Sequence, residues 1–151
     1  MRALLQRVSQ AQVSTSEGVA GRIGAGLVVF LGVEEADGPA DMDWLERKIL
    51  QLRIFNDAAG VMNHSLEDVQ GGLLLVSQFT LHANAKKGNR PSYNRAAPPE
   101  LAEPLFEQFA QRLRQRLGPR LQTGVFGALM EVQLRNDGPV TIWLDSQQRS
   151  Y

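Results

Sequence analysis

The chain has 151 residues and no net formal charge, with 43% hydrophobic and 21% charged residues, which is typical of a globular protein. This length predicts one domain with its own core, spanning residues 1–151. The absence of cysteine excludes disulfides, thiolate nucleophiles and cysteine-bound metals, and two histidines are too few for a multi-histidine metal site. No apolar run approaches the roughly 20 residues that span a membrane, and Arg2 and Arg7 interrupt any signal peptide. We therefore expect a cytoplasmic protein.

The N-terminal half predicts strands followed by a helix. Apolar and β-branched residues alternate with polar ones between residues 4 and 14, which indicates one or two opening strands. Several glycines then mark turns around a short strand at residues 19–23. The nearly continuous apolar run at residues 27–33 is typical of a strand covered on both faces. Pro39 begins a helix, because the apolar residues after it recur at helical spacing up to Leu52.

The C-terminal half predicts further strands and a second helix. Short strands are expected at residues 53–55 and 73–79, and a long loop with three prolines at residues 83–99. An apolar face from Leu101 to Leu113 predicts a helix from about Pro99 to Leu117, where Gly118 and Pro119 end it. Residues 130–134 and 140–144 predict two final strands. Many strands with two long helices indicate an α/β domain with a mixed sheet packed in layers.

The charges are unevenly distributed along the chain. Residues 1–75 carry six basic and ten acidic residues, for a net charge of −4, whereas residues 76–151 carry ten and six, for +4. Residues 69–99 contain no acidic residue but include Lys86, Lys87 and Arg90. Such a segment either contacts phosphates or is a solvated loop balanced elsewhere on the surface.

Four consecutive residues could carry chemistry: Ser77, Gln78, Phe79 and Thr80. They end a predicted buried strand just before the basic loop, a position where sites in layered α/β proteins gather. Hydroxyls, an amide and freed backbone N–H groups could polarise a carbonyl and hold an oxyanion. The alternative is that the hydroxyls only satisfy backbone groups at the strand end, and no neighbouring histidine or lysine supplies a base.

Other candidates also have an ordinary structural interpretation. Gly138 and Pro139 form either a plain turn between strands or a rigid probe for a bound group. Phe126 and Met130, among small residues, suit a stacked nucleobase or an ordinary core. The two histidines, His64 and His82, stand alone, and we interpret both as surface or hydrogen-bonded residues.

Taken in order, these segments resemble the D-aminoacyl-tRNA deacylases, also called D-tyrosyl-tRNA deacylases. The resemblance covers almost the whole chain. It implies a three-layer β/β/α fold and a homodimeric editing hydrolase that needs no cofactor and no metal. The substrate would be aminoacyl-tRNA, with cleavage of the ester between a D-amino acid, or glycine, and the 3′-terminal adenosine. The motifs that carry the resemblance are Leu5-Gln6-Arg7-Val8, Leu31-Gly32-Val33-Glu34, Ser77-Gln78-Phe79-Thr80, Gly88-Asn89-Arg90-Pro91 and Asn136-Asp137-Gly138-Pro139-Val140-Thr141.

The resemblance also assigns roles at the reacting end. Residues 77–80 match the first family signature. Thr80 matches a residue proposed as nucleophile, but because the sequence supplies no base, we expect backbone N–H groups near Phe79 and Thr80 to hold the oxyanion while the ribose 2′-hydroxyl positions water. Gly138 and Pro139 match the second signature, in which a cis peptide bond reaches into the partner subunit's pocket and rejects L-amino acids. Arg7 matches an arginine close to that turn.

The remaining assignments concern the tRNA. Phe126 and Met130 match the family's adenine pocket, and Ala102 matches a position lining the amino-acid pocket. We expect Lys86, Lys87 and Arg90 to contact phosphates near the acceptor end.

Two alternatives stay open. A sister class of editing deacylases has a trans Gly-Pro bond and removes L-amino acids, but it carries proline where this chain has Ser77. A non-catalytic RNA-binding module with the same fold is the other. The chain also departs from the family at Val125 and Leu129, which replace a basic and an acidic residue.

Overall fold

One long strand organises the sheet of the computed structural model, which describes residues 1–150. Strand β1 covers Arg2–Thr15, and its side chains alternate between buried and more exposed positions over most of its length. Its first half pairs antiparallel with β3 (Gly26–Gly32) and its second half with β2 (Gly18–Ile23). Its other edge pairs antiparallel with β8 (Glu131–Asp145). The expected one or two opening strands are therefore a single strand.

The sheet is mixed, as predicted. Strand β6 (Gly72–Ser77) lies parallel to β3, and β7 (Leu121–Thr123) lies parallel to β6. Strands β4 (Phe55–Asn56) and β5 (Met62–His64) form a separate hairpin. Since parallel neighbours require crossover connections, the chain passes over one face of the sheet between these strands.

Both predicted helices are confirmed and cover one face of the sheet. Helix α1 spans Pro39–Gln51 and α2 spans Pro99–Leu117, each with proline in the first turn. Gly118 ends α2 with a φ of +57°, a conformation that favours glycine. The predicted apolar face of α2 is correct except at Leu101, which is exposed. The buried residues of this helix are Ala102, Phe106, Phe109, Ala110, Leu113 and Leu117.

Two apolar cores produce three layers. The larger core joins both helices to the sheet face formed by β1, β3 and β6. The smaller core lies on the opposite face, where the second half of β1 and the first half of β8, paired side by side, curl over β3 and β6. This is the expected β/β/α arrangement. Neither helix in the described part of the chain is long and apolar enough to cross a membrane.

Three strand boundaries differ from the prediction. The strand expected at residues 53–55 begins only at Phe55, because the Ile54 N–H donates to the nearby Leu52 carbonyl oxygen at 3.0 Å and the pairing with β5 starts one residue later. Strand β6 ends at Ser77, and a 3₁₀ turn at Phe79–His82 follows. The two final strands are one strand, β8, interrupted by a bulge.

Candidate active site

A cavity of about 640 Å³ opens where β3 and β6 end. Ser77, Gln78 and Phe79 form one side, and Ala102 and Phe106 of α2 form another. The cavity is completed by Leu31, Val33, Val76, Tyr93, Ala96, Ala97, Pro99, Phe126, Gly127, Ala128, Leu129, Met130 and Val132. It therefore brings together Ser77, Gln78 and Phe79 with Ala102, Phe126 and Met130, although these residues are far apart in the sequence.

The backbone after β6 offers unpaired donors. Gln78 N–H donates to the carbonyl oxygen of Leu31 at 2.8 Å, which completes the pairing with β3. Phe79 and Thr80 then begin a 3₁₀ turn, so their N–H groups have no acceptor within that turn. The amide nitrogen of Gln78 donates to the Thr80 hydroxyl. The arrangement can hold an oxyanion, while the Thr80 side chain is engaged by a neighbour that is not a base.

Aromatic side chains shape the walls of the cavity. Phe79 is 58% exposed and packs edge-on against Tyr93, with ring centroids 5.0 Å apart. Phe126 is tilted against buried Phe106 at 5.8 Å. Met130 lies over Gly124, where an added Cβ would meet its sulfur at 2.6 Å. The aromatic and thioether groups form an apolar slot that suits a flat nucleobase.

The Gly138–Pro139 turn is a bulge on β8. Gln6 pairs with Thr141 and Val8 with Asn136, so residues 137–140 stand opposite the single residue Arg7. The Gly138–Pro139 peptide bond is cis, Gly138 has a φ of +125°, and both residues are exposed. Within residues 1–150, neither Gly138 nor Pro139 is among the residues that line the cavity of its own chain.

Arg7 holds this turn in place. It is 6% exposed, and its Nε donates to the Asp137 carbonyl oxygen at 3.2 Å and lies 3.2 Å from an Asp137 carboxylate oxygen. The opposite end of the guanidinium donates to the Ile54 carbonyl oxygen at 2.6 Å and to Asn56 Oδ1 at 3.3 Å. Because one planar cation joins the turn to the backbone after α1, it fixes the direction of the turn.

The basic residues lie beside the cavity and not in it. Lys86, Lys87 and Arg90 are exposed in a loop closed by reciprocal backbone hydrogen bonds between Asn84 and Ser92. The same segment continues to Tyr93, which lines the cavity. A polymeric ligand with one end bound in the cavity could therefore contact these cations where it extends out of the cavity.

A cluster of charged side chains, which was not expected from the sequence, contacts the 3₁₀ turn beside the cavity. Glu34 is mostly buried and accepts a hydrogen bond from Arg95 at 3.1 Å. One of its carboxylate oxygens lies 3.0 Å from His82 Nδ1, without hydrogen-bond alignment. Arg2 joins Asp145 of β8 to the Leu81 carbonyl oxygen, so the cluster ties the 3₁₀ turn to the start of β1 and the end of β8. Only the charge of Glu34 beside an apolar strand could have indicated it.

His82 is fully buried, so the first of the two expected alternatives, a surface histidine, is wrong at this position. It is 1% exposed, and among residues 1–150 the polar neighbours of its ring are the Glu34 carboxylate and the Gly32 backbone, neither of which is well aligned for a hydrogen bond. The ring packs against Gly32, where an added Cβ would meet Nε2 at 2.8 Å. Burial lowers the pKa of His82 below its ordinary value of 6.5, so the ring is neutral at pH 7.

We expect the protein to lose stability as the pH falls below about 6.5. The unfolded chain protonates His82 first, so the stability from a neutral ring is complete above that pH and is lost below it. Thermal unfolding at pH 7 and pH 5 measures the loss, which His82→Gln should reduce. His64→Gln, at an exposed histidine, is the control and should keep the wild-type difference. An unchanged difference in His82→Gln would contradict the assignment.

Residues 1–150 contain no group of three or more His, Asp or Glu side chains that could hold a metal ion. The polar side chains in the cavity wall are those of Ser77, Gln78 and Tyr93, and the strand-end backbone adds N–H groups. The arrangement is an apolar cavity with oxyanion donors at one end. It suits the hydrolysis of an ester that is already activated.

Comparison with known proteins agrees with this chemistry. The family model described as D-Tyr-tRNA(Tyr) deacylase matches residues 4–145. A D-aminoacyl-tRNA deacylase of Chromobacterium violaceum is 62% identical over 97% of this chain and 98% of its own length. One from Opitutus terrae is 54% identical over 99% of both chains.

Solved structures share the fold. A structure titled c-Myc DNA Unwinding Element Binding Protein is 41% identical, with a TM-score of 0.91 over 96% of this chain and 98% of its own. A probable eukaryotic D-amino acid tRNA deacylase, at 18% identity, matches with a TM-score of 0.81 over 95% and 97%. The family model and the two deacylase relatives define a hydrolase that acts on aminoacyl-tRNA. The chain belongs to the D-aminoacyl-tRNA deacylase family, and its substrate is tRNA charged with a D-amino acid.

Proposed function

We propose that this deacylase works as a symmetric homodimer in the cytoplasm, in which the Gly138–Pro139 turn of each subunit enters the cavity of its partner. The turn excludes L-amino acids, so the enzyme cleaves D-aminoacyl-tRNA and also glycyl-tRNA. One observation carries the proposal. The turn is exposed, is held by buried Arg7, and lies outside the cavity of its own chain.

The cavity would bind the charged end of tRNA in one orientation. The 3′-terminal adenine lies in the slot beside Phe126 and Met130, and the amino acid lies near Ala102. This orientation brings the ester carbonyl to the N–H groups of Phe79 and Thr80. Those donors stabilise the oxyanion as water attacks, and the neighbouring ribose hydroxyl helps to position that water. Ser77 and Gln78 hold the strand end and the ester in place.

Selectivity by exclusion follows from the chemistry of the cavity wall. The groups that would bind the ester are backbone donors and small polar side chains, which contact D- and L-esters equally. A rigid obstacle can reject one of two mirror-related side chains, whereas extra attraction gives little discrimination. Glycine has no side chain to meet the obstacle. It therefore passes the filter together with D-amino acids.

Purified protein assayed with D-Tyr-tRNA, L-Tyr-tRNA and Gly-tRNA tests the proposal. We expect cleavage of the first and the last, and sparing of L-Tyr-tRNA. Sedimentation at micromolar concentration should give a dimer. Rapid cleavage of L-Tyr-tRNA, resistance of Gly-tRNA, or a fully active monomer would each contradict it. If the folded wild-type protein cleaved none of the three substrates, the result would instead favour a non-catalytic RNA-binding module.

Thr80→Ala should keep kcat within about tenfold of wild type, because we assign the oxyanion to backbone groups that the substitution leaves in place. Removal of a true nucleophile would cost on the order of 10⁴-fold. Single-turnover hydrolysis of D-Tyr-tRNA measures the effect. Thr80→Ser is the control, because it keeps the hydroxyl and removes only the methyl group. A loss near 10⁴-fold in a folded Thr80→Ala protein would assign the nucleophile to this hydroxyl.

Replacing Lys86 and Lys87 together by alanine should raise KM for charged tRNA with little change in kcat. Two fewer phosphate contacts should also flatten the dependence of log affinity on log salt by about 1.4–1.8. Binding and kinetics between 50 and 200 mM salt, the range over which such contacts weaken strongly, measure both effects. Arg47→Ala with Lys48→Ala, in α1, removes the same charge elsewhere. An equal effect in both double variants would mean that the Lys86–Lys87 segment does not bind tRNA.

A further inference from the structure

A second cavity lies beside the first and shares a wall with it. It has a volume of about 390 Å³ and is lined on one side by Thr15, Ser16 and Glu17 in the turn between β1 and β2. Val125, Ala128 and Leu129 form the other side. Ala128 and Leu129 also line the larger cavity. A ligand that extends beyond the first cavity across this wall enters the second.

Val125 and Leu129 form an apolar rim on one side of the second cavity, although both side chains are exposed. Leu129 is 94% exposed and Val125 is 46% exposed. Single exposed apolar side chains are common, but these two lie on the same side of one cavity, and Leu129 also belongs to the wall shared with the first cavity. Together they form an apolar surface that a flat ligand can cover. The opposite side carries the hydroxyls of Thr15 and Ser16 and the Glu17 carboxylate. The cavity thus combines an apolar face with an edge that carries one acceptor-only group, the Glu17 carboxylate, and two hydroxyls that can donate or accept.

We propose that the second cavity binds the nucleotide that precedes the 3′-terminal adenosine of the tRNA. The inference rests on the proposed position of the adenine beside Phe126 and Met130. The substrate is a continuous polymer, so the next nucleotide leaves the first cavity and meets the shared wall. The aminoacyl group is also joined to the adenosine, but it is assigned to the side of the first cavity near Ala102, which does not line the second cavity.

The lining favours a base with an exocyclic amine. Val125 and Leu129 contact the flat face of the base, and the Glu17 carboxylate accepts a hydrogen bond from an amine at its edge. Cytosine carries such an amine at N4, whereas uracil has a carbonyl oxygen there, which Glu17 would repel. The same negative charge keeps the phosphate away from the turn between β1 and β2. The base edge, and not the phosphodiester, therefore points toward Glu17.

Minimal substrates test the site. We compare kcat/KM for D-tyrosyl esters of adenosine, of the dinucleotide CpA and of UpA. Covering the apolar rim should make the CpA ester about tenfold better than the adenosine ester. The UpA ester should fall clearly below CpA. Val125→Asp should bring the ratio of CpA to adenosine close to one, and Glu17→Gln should reduce the difference between CpA and UpA.

Val61→Asp is the matched control, because Val61 is 53% exposed and lines neither cavity. It should keep every wild-type ratio. A wild-type ratio near one, or an unchanged ratio in Val125→Asp, would overturn the inference. If the adenosine ester is not hydrolysed at all, the proposed adenine position fails separately, and the KM of Val125→Asp for full-length D-Tyr-tRNA decides the second site. Loss of the dimer in Val125→Asp would assign this rim to a second copy of the chain and overturn the proposal.

Discussion

Replacement of Gly138 by alanine is expected to lower kcat/KM for D-aminoacyl-tRNA by about 10²-fold or more. Gly138 has a φ of +125°, which an alanine rarely adopts. An added Cβ would lie 2.9 Å from Val140 Cγ2 and 3.1 Å from the Arg7 guanidinium. The turn must therefore shift, and a displacement near 1 Å in a positioned site costs activity of this size. Steady-state hydrolysis of D-Tyr-tRNA measures the loss, with L-Tyr-tRNA assayed in parallel.

Gly60→Ala is the control for backbone strain alone. Gly60 also has a positive φ, +79°, but an added Cβ there meets nothing within 4 Å, and Gly60 lies in the turn between β4 and β5. This variant should lose some stability and keep its activity. Full activity and full chiral selectivity in Gly138→Ala would mean that the turn does not contact the substrate.

Mixing two inactive variants distinguishes a turn that acts on its partner from one that acts on its own chain. Gly138→Ala carries a damaged turn and an intact cavity. Ala102→Phe carries an intact turn and a cavity filled by the larger ring, because Ala102 lines it. If the turn acts in the partner, heterodimers regain one working site, and activity returns on mixing after subunit exchange. No recovery in a mixture shown to contain heterodimers would contradict the action of the turn across subunits.

Replacement of Arg7 by lysine is expected to lower kcat/KM for D-aminoacyl-tRNA by roughly 10–100-fold, because the turn loses its fixed direction. Lysine keeps the charge but cannot donate from two ends of a planar group to the Asp137 and Ile54 carbonyl oxygens. At least one buried acceptor loses its partner. We therefore also expect the free energy of unfolding to fall by about 1–3 kcal/mol. Hydrolysis of D- and L-Tyr-tRNA and urea unfolding measure the two effects.

Asp137→Asn provides the comparison for Arg7→Lys. The Asp137 carboxylate is 56% exposed, so its ion pair with Arg7 contributes only about 0–1 kcal/mol. The carbonyl oxygen of residue 137 still accepts from Arg7 after this change. Activity should therefore stay within about threefold of wild type. If Asp137→Asn costs as much as Arg7→Lys, the surface ion pair, and not the buried guanidinium, orients the turn.

The helices and buried strands were predictable because their signals are local. Apolar residues at helical spacing after Pro39 and Pro99 identify α1 and α2, and the proline at each start and Gly118 at the end of α2 mark their boundaries. Boundaries that depend on distant partners were predicted less well. The expected strand to Phe79 stops at Ser77, because the pairing of β6 with β3 ends opposite Leu31 and the chain then bends into the 3₁₀ turn.

The sequence by itself determined the family and the location of Ser77, Gln78 and Phe79 at a strand end. The reason is that an ordered set of motifs can be recognised without knowing how the elements pack. Only the tertiary structure decided which residues share a cavity. Residues from α2 and from the segment before β8 meet the end of β6 through contacts between distant parts of the chain, and no local spacing encodes those contacts. The same holds for His82, whose burial depends on the packing of Glu34 and Gly32 around it. The bulge opposite Arg7 likewise arises from the register between β1 and β8, which is set by side chains along both strands.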